Sequence, residues 1–178
     1  MDVRAVLLEI HAALHEARIA HALIGGLALA AHGAGRATVD VDFLADGLRA
    51  DDVDSLLRAR GYACLQRNEF VGNYASDRPA RGRVDFLFAR KAYGKAMLGR
   101  AAAVDVMGQR IPVVDASDLV GLKVQSSSND PSRRHRDLAD IEWLLRHAAI
   151  DLDRVREYFR LFDREKELDA LLAAAGRG

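Results

Sequence analysis

Two hydrophobic rhythms run along the chain, and they divide it into helices and strands. Val3, Val6, Leu7, Ile10 and Leu14 recur at three- and four-residue spacing, which predicts an amphipathic helix over residues 3–18. Ala20–Ile24 is a short apolar run and predicts the first strand. It ends in Gly25–Gly26. The next run, Leu27–His32, predicts a short helix that stops at Gly33–Ala34–Gly35. Val39, Val41 and Phe43 then alternate with Asp40 and Asp42, a strand with two carboxylates on one face and three apolar side chains turned to a core. Asp51–Arg60 predicts a helix with Val53, Leu56 and Leu57 inward and Gly61 at its end. Tyr62–Leu65 and Glu69–Tyr74 predict a hairpin around Arg67–Asn68, and Val84–Phe88 predicts a buried strand. Tyr93–Leu98 predicts a helical piece. Val104–Met107 and Arg110–Val114 predict a second hairpin turning at Gly108–Gln109.

From Asp115 onward the rhythm is helical. Asp115 and Asp118 are placed like a capping box ahead of Leu119, Leu122 and Val124. Ser126–Asn129 predicts a polar break, and Asp130–Pro131 the start of a new helix with Leu138, Ile141, Leu144 and Leu145 as its apolar stripe. Residues 151–162 and 164–175 predict two closing helices. The expected organisation is an α/β core over residues 1–114, then a helical part over 115–178 packed on it, together one compact domain.

Composition narrows the function classes. The 178 residues carry a formal net charge of zero, which argues against a broad electrostatic field for nucleic acid, though not against a local patch. The cations are twenty-two Arg and four Lys, and Arg suits planar recognition of phosphate and carboxylate. One cysteine, Cys64, excludes internal disulfides and fits a reducing cytoplasm. The first residues lack a signal-peptide pattern, and the longest apolar run, Ala22–Ala31, contains two glycines and is too short to span a bilayer. The expectation is a cytoplasmic protein with no membrane partner.

Candidate chemistry gathers at three places. Asp-x-Asp occurs three times, at Asp40/Asp42, Asp52/Asp54 and Asp151/Asp153. The last two lie at helix starts, where acids suit caps and the helix dipole. Asp40/Asp42 alone is framed by β-branched and aromatic residues. Asp85 lies in a later apolar run. If the two strands are neighbours, three carboxylates converge, and three acids that close need a cation between them. Oxygen ligands of this kind suit Mg²⁺, which binds through a couple of carboxylates plus substrate phosphates. Gly25 and Gly26 open a helix and let backbone N–H groups approach a phosphate. Taken alone, Asp40/Asp42 also fits an edge strand with solvated acids.

Further residues have two readings each. Arg36, which with Thr38 leads into the second strand, reaches either a triphosphate or a loop carbonyl. Arg78, Arg81 and Arg83 grip phosphate or RNA, or are solvated loop charges. Lys123 either snorkels or serves as a point charge on a triphosphate. Arg133/Asp137 and Arg136/Asp140 are four apart, so they form plain helix-surface pairs, or else Asp137 orients Lys123 or an Arg on the nucleotide. The base precedes the acid in both pairs, the weaker order for a helix. His11 and His15 lie one turn apart with no third metal ligand evident.

Gly25–Gly26, Asp40–Val41–Asp42 and the later Asp85 together resemble the nucleotidyltransferases of the DNA polymerase β superfamily. Gly25–Leu29 followed by Arg36–Phe43 is similar, more closely, to the small bacterial nucleotidyltransferases of abortive-infection and toxin–antitoxin systems. Asp118–Lys123 and Arg133–Asp140 resemble that group's second block. The likeness covers about residues 20–147. It implies an α/β (α+β) nucleotidyltransferase-like fold, a mixed sheet with packed helices, binding an NTP with Mg²⁺ or Mn²⁺. It implies transfer of NMP to an acceptor hydroxyl on RNA, protein or a small molecule. Asp40, Asp42 and Asp85 would be the catalytic and metal-binding acids. Gly25, Gly26, Arg36, Thr38 and Lys123 would face the nucleotide, with Arg136, Asp137 and Asp140 behind them. A toxin–antitoxin partner protein is a further implication. Two features depart from the pattern. Gly26 stands where many members carry Ser, and the chain is shorter than many of the toxin enzymes, which puts an acceptor-recognition domain in doubt. The rival expectation is a non-catalytic nucleotide-binding or antitoxin-like protein on the same fold.

Overall fold

A computed structural model describes residues 1–35 and 38–176. The chain divides into two compact units, Met1–Ala31 with Gly35–Val114, and His32–Ala34 with Asp115–Gly178.

The first unit holds a seven-stranded sheet. Its elements are α1 (Val3–Glu16), β1 (His21–Ile24), α2 (Gly25–Ala31), β2 (Val41–Asp46), α3 (Ala50–Ala59), β3 (Ala63–Arg67), β4 (Val71–Ala75), β5 (Arg83–Ala89), α4 (Ala92–Arg100), β6 (Ala102–Val106) and β7 (Gln109–Val113). The strand order is β3-β4-β5-β2-β1-β7-β6. β2 pairs with β5, and β1 with β7, in parallel; the other pairs are antiparallel.

Alternation along the strands gives the sheet one apolar face at its centre. Tyr74, Phe86, Phe43 and Leu23 come from four consecutive strands and are fully buried. Phe43 stacks on Phe86 with ring centres 5.7 Å apart, and Tyr74 meets Phe86 edge-on at 6.0 Å. Helix α1 lies on this face. Asp2 caps it by accepting the Ala5 N–H at 3.0 Å. Its His11 Nδ1 lies 2.8 Å from Nε2 of His21, whose ring stands 5.8 Å from Phe43. The His21 Nδ1 lies 2.7 Å from the Ile19 carbonyl, which can only accept, so Nδ1 carries the proton and Nε2 accepts from His11.

Three expectations shift here. Val39 is 70% exposed, because the β2 ladders reach no further back than Val41 and give Val39 no strand to pack beside. The second hairpin turns at Met107–Gly108, both with positive φ, and Gln109 already belongs to β7. His21 joins His11 and His15, yet among the described residues no three His, Cys, Asp or Glu side chains are arranged to hold a metal ion.

The second unit is helical: α5 (Ala116–Asn129), a single turn at Pro131–Arg133, α6 (Arg134–His147), α7 (Leu152–Arg160) and α8 (Glu165–Ala174). The expected break at Ser126–Asn129 does not occur, and α5 runs through it. The serine hydroxyls bond back into their own helix instead of leaving it: Ser127 Oγ donates to Lys123 O at 2.9 Å and Ser128 Oγ to Val124 O at 2.7 Å. Arg164 then donates to both hydroxyls. Gly121 lets α7 approach α5, since a Cβ there would sit 2.5 Å from the Tyr158 ring. Tyr158 thereby reaches the fully buried Asp118, its hydroxyl 2.6 Å from Oδ1.

Candidate active site

The sheet register sets a polar row on the face opposite Phe43 and Phe86. Asp42 on β2 is the register partner of Asp85 on β5, and Asp85 is the partner of Asn73 on β4. Register partners share a face, so Asn73, Asp85 and Asp42 stand side by side across three strands spaced about 4.8 Å apart. All three are partly exposed. The next strand, β1, ends opposite Asp42 at Ile24, and the chain turns there through Gly25.

That turn requires glycine for two reasons. Gly25 has φ +66°, and a Cβ on it would lie 2.1 Å from Asp42 Oδ2. A Cβ on Gly26 would lie 2.8 Å from Thr38 Cβ and Oγ1. The first turn of α2 is therefore pressed against Asp42 on one side and Thr38 on the other. Thr38 Oγ1 makes long contacts, 3.4 and 3.5 Å, with the backbone of Asp40.

The structure thus brings together Gly25, Gly26, Thr38, Asp42 and Asp85. Asp40 is half-buried and precedes β2, outside the ladder that pairs Asp42 with Asp85. Arg36 lies outside the described residues. Arg81 is held elsewhere, on Glu9 at 3.1 Å and on the Arg60 carbonyl. Arg83 lies on β5 two residues before Asp85, so on the same face, with Nη2 3.6 Å from Asp85 Oδ2. Asn73, which the sequence reading passed over, donates from Nδ2 to Asp85 Oδ1 at 2.9 Å. The signal for it was faint: an Asn inside a strand, where Asn is depleted.

Two carboxylates on neighbouring strands repel. At about 5 Å and an effective dielectric constant of about 20 a bare pair would cost up to about 3 kcal/mol. A divalent cation removes that cost. The donor set fits Mg²⁺ or Mn²⁺: two carboxylates on one face, beside a glycine turn packed directly against Asp42. Among the described residues no three acidic side chains are arranged to hold a metal ion, so a cation here would need further ligands from water and substrate.

Lys123 belongs to the second unit and is 7% exposed. Its Nζ lies 3.0 Å from Asp137 Oδ1 and 2.6 Å from Asp140 Oδ2, both on α6. Arg133 Nε approaches Asp137 Oδ2 at 3.9 Å, and Arg136 is exposed on the same helix.

No family model matches the chain, and no curated protein does. Solved structures match it over most or all of its length. The antibiotic-resistance factor ANT(2″)-Ia superposes with a TM-score of 0.67 at 15% identity, covering 100% of both chains. The chain has a nucleotidyltransferase-like fold. The lincosamide antibiotic adenylyltransferase LnuA, in its lincomycin-bound structure, superposes with a TM-score of 0.58 at 14% identity over 80% of this chain and 98% of that one. A nucleotidyltransferase-like protein of Paracoccidioides brasiliensis gives 0.60 at 18% identity over 97% and 93%. At these identities the likeness is one of fold. Among the described residues no helix is long and apolar enough to cross a membrane.

Proposed function

We propose that the protein is a Mg²⁺- or Mn²⁺-dependent nucleotidyltransferase that moves NMP from an NTP to an acceptor hydroxyl. The observation that carries this reading is the register pairing of Asp42 with Asp85 beside a glycine turn with no room for any side chain. Two carboxylates side by side on one face suit a shared divalent cation.

Asp42 and Asp85 would hold the cation, and Asp40, just ahead of β2, would supply a further oxygen. When bound, the cation neutralises the triphosphate charge. Gly25 and Gly26 would present amides to the phosphates beside Thr38, and the sequence resemblance gives Arg36 a nucleotide-binding role. The acceptor oxygen bonds to the α-phosphorus, the bond to pyrophosphate breaks, and the acceptor's proton passes to Asp85. Lys123 has two carboxylates of its own unit on its ammonium, so we give it the task of fixing α5 to α6 rather than that of touching phosphate.

The acceptor class we favour is a hydroxyl-bearing small molecule of the antibiotic type. Two structural neighbours are named for antibiotics, and this chain spans the whole of ANT(2″)-Ia. Zero net charge points away from RNA. The resemblance to toxin-type enzymes places protein and RNA acceptors, with a partner protein, second. A cytoplasmic setting, where Cys64 stays reduced, suits the reading.

The test is transfer of label from α-³²P NTP to a panel of aminoglycosides, lincosamides, RNA and protein in the presence of Mg²⁺. Asp42→Asn is expected to abolish transfer while circular dichroism shows the fold intact. Full activity in that variant overturns the assignment. Nucleotide binding without turnover on any acceptor would favour a binding protein on the same fold.

A further inference from the structure

The two carboxylate oxygens of Asp85 have different kinds of partner. Oδ1 accepts from Asn73 Nδ2 at 2.9 Å. Oδ2 faces Arg83 Nη2 at 3.6 Å, beyond ordinary hydrogen-bond length. Asn73 is the register partner of Asp85 in an antiparallel ladder, so both ends of the bond are fixed by the sheet. The Arg83 side chain is 52% exposed and stands on a long flexible stem at the first residue of β5. A contact of that kind is weak and readily exchanged for water. On the far side of Asp85 stands Asp42, a second carboxylate.

We infer that Asn73 positions Asp85, and that Arg83 is an internal counter-ion which a divalent cation displaces from Asp85 Oδ2. The inference rests on the metal-binding reading given above. The polar row then has a fixed end and an exchangeable one. Asn73 keeps the carboxylate plane oriented whether or not a cation is present. Arg83 partly neutralises Asp85 while no cation is bound, and its guanidinium turns to solvent when one arrives. Arg83 therefore opposes cation binding and Asn73 supports it. Two neighbours of one carboxylate should change cation affinity in opposite directions, which a merely structural role for either would not produce.

The experiment is Mn²⁺ titration of the full chain, followed by electron paramagnetic resonance with and without NTP, each variant being melted in EDTA to check its fold. Arg83→Gln is expected to bind Mn²⁺ about two- to fivefold more tightly than wild type. Arg83→Lys, which keeps the charge, should return most of the way to wild-type affinity. Asn73→Ala should bind about three- to tenfold more weakly. Asn73→Thr, which suits a strand, serves if the alanine variant does not fold. Asp85→Asn is the control that loses the ion. Wild-type binding with unchanged affinity in Arg83→Gln or in the Asn73 variants overturns this inference and leaves the metal site standing. Weaker binding in Arg83→Gln also overturns it. Absence of Mn²⁺ binding to the wild type, even with NTP, overturns the metal-binding reading and this inference with it.

Discussion

Gly25 and Asp42 constrain each other. The left-handed backbone at Gly25 would cost a residue with a side chain about 1 kcal/mol before any contact is counted. The approach of Asp42 Oδ2 then removes the space for even a methyl group. Asp42 in turn stands next to Asp85, at a repulsive cost of up to about 3 kcal/mol. Gly25→Ala should therefore destabilise the fold by more than about 1 kcal/mol, because the close approach to Asp42 adds to the backbone cost. Urea unfolding checks the sign, and an alanine variant as stable as wild type would mean that Asp42 does not constrain the turn.

At the scale of elements, α1 is joined to the sheet by a hydrogen-bonded chain from His11 through His21 to the Ile19 carbonyl. Burial lowers the pKa of His21 from 6.5 to about 4, against the raising effect of the Ile19 carbonyl and with added help from His11 and His15. Burial, then His15, lowers that of His11 as well. His21 is thus neutral in the fold down to about pH 4, whereas the unfolded chain protonates it below its ordinary 6.5. Stability is unaffected by this group above pH 6.5 and falls as pH drops toward 4, by about 3 kcal/mol over that window. His21→Gln keeps a donor for Ile19 and an acceptor for His11. Its stability relative to wild type should improve steadily between pH 6.5 and 4, and a constant difference between the two across that range would refute the linkage. This pairing was not legible in the sequence, because His21 lay in a short apolar run and its partner sat on a separate helix. Periodicity revealed α1, α3 and α6 well, since a helix declares itself within a few turns. It revealed Asp42 and Asp85 as strand residues, but their adjacency comes from a parallel pairing across more than forty residues, which no local pattern encodes. Val39 failed for the converse reason: alternation continued one step further than the ladder that gives it meaning. Ser126–Ser128 read as a break because serine competes with the backbone. Here that competition is satisfied inside the helix by bonds to Lys123 and Val124.

For the whole molecule, the proposed site makes stability depend on two ligands jointly. Asp42 and Asp85 repel a triphosphate as well as each other, so nucleotide alone should bind poorly, and the cation alone lacks the phosphate oxygens that complete its shell. Together each ligand supplies what the other lacks. A ligand present at about 100 times its Kd stabilises the folded state by about 2.7 kcal/mol. In a chain of 178 residues each kcal/mol moves Tm by about 2–4 °C, so NTP with Mg²⁺ should raise Tm by about 5–10 °C. NTP in EDTA, or Mg²⁺ without NTP, should move it by much less than half of that, and Asp42→Asn should abolish the joint effect. Thermal melts across the four ligand conditions decide the matter before any acceptor is known. A shift of equal size with NTP in EDTA would place nucleotide binding away from the carboxylate row. No shift under any condition would leave a nucleotidyltransferase-like fold without a nucleotide site.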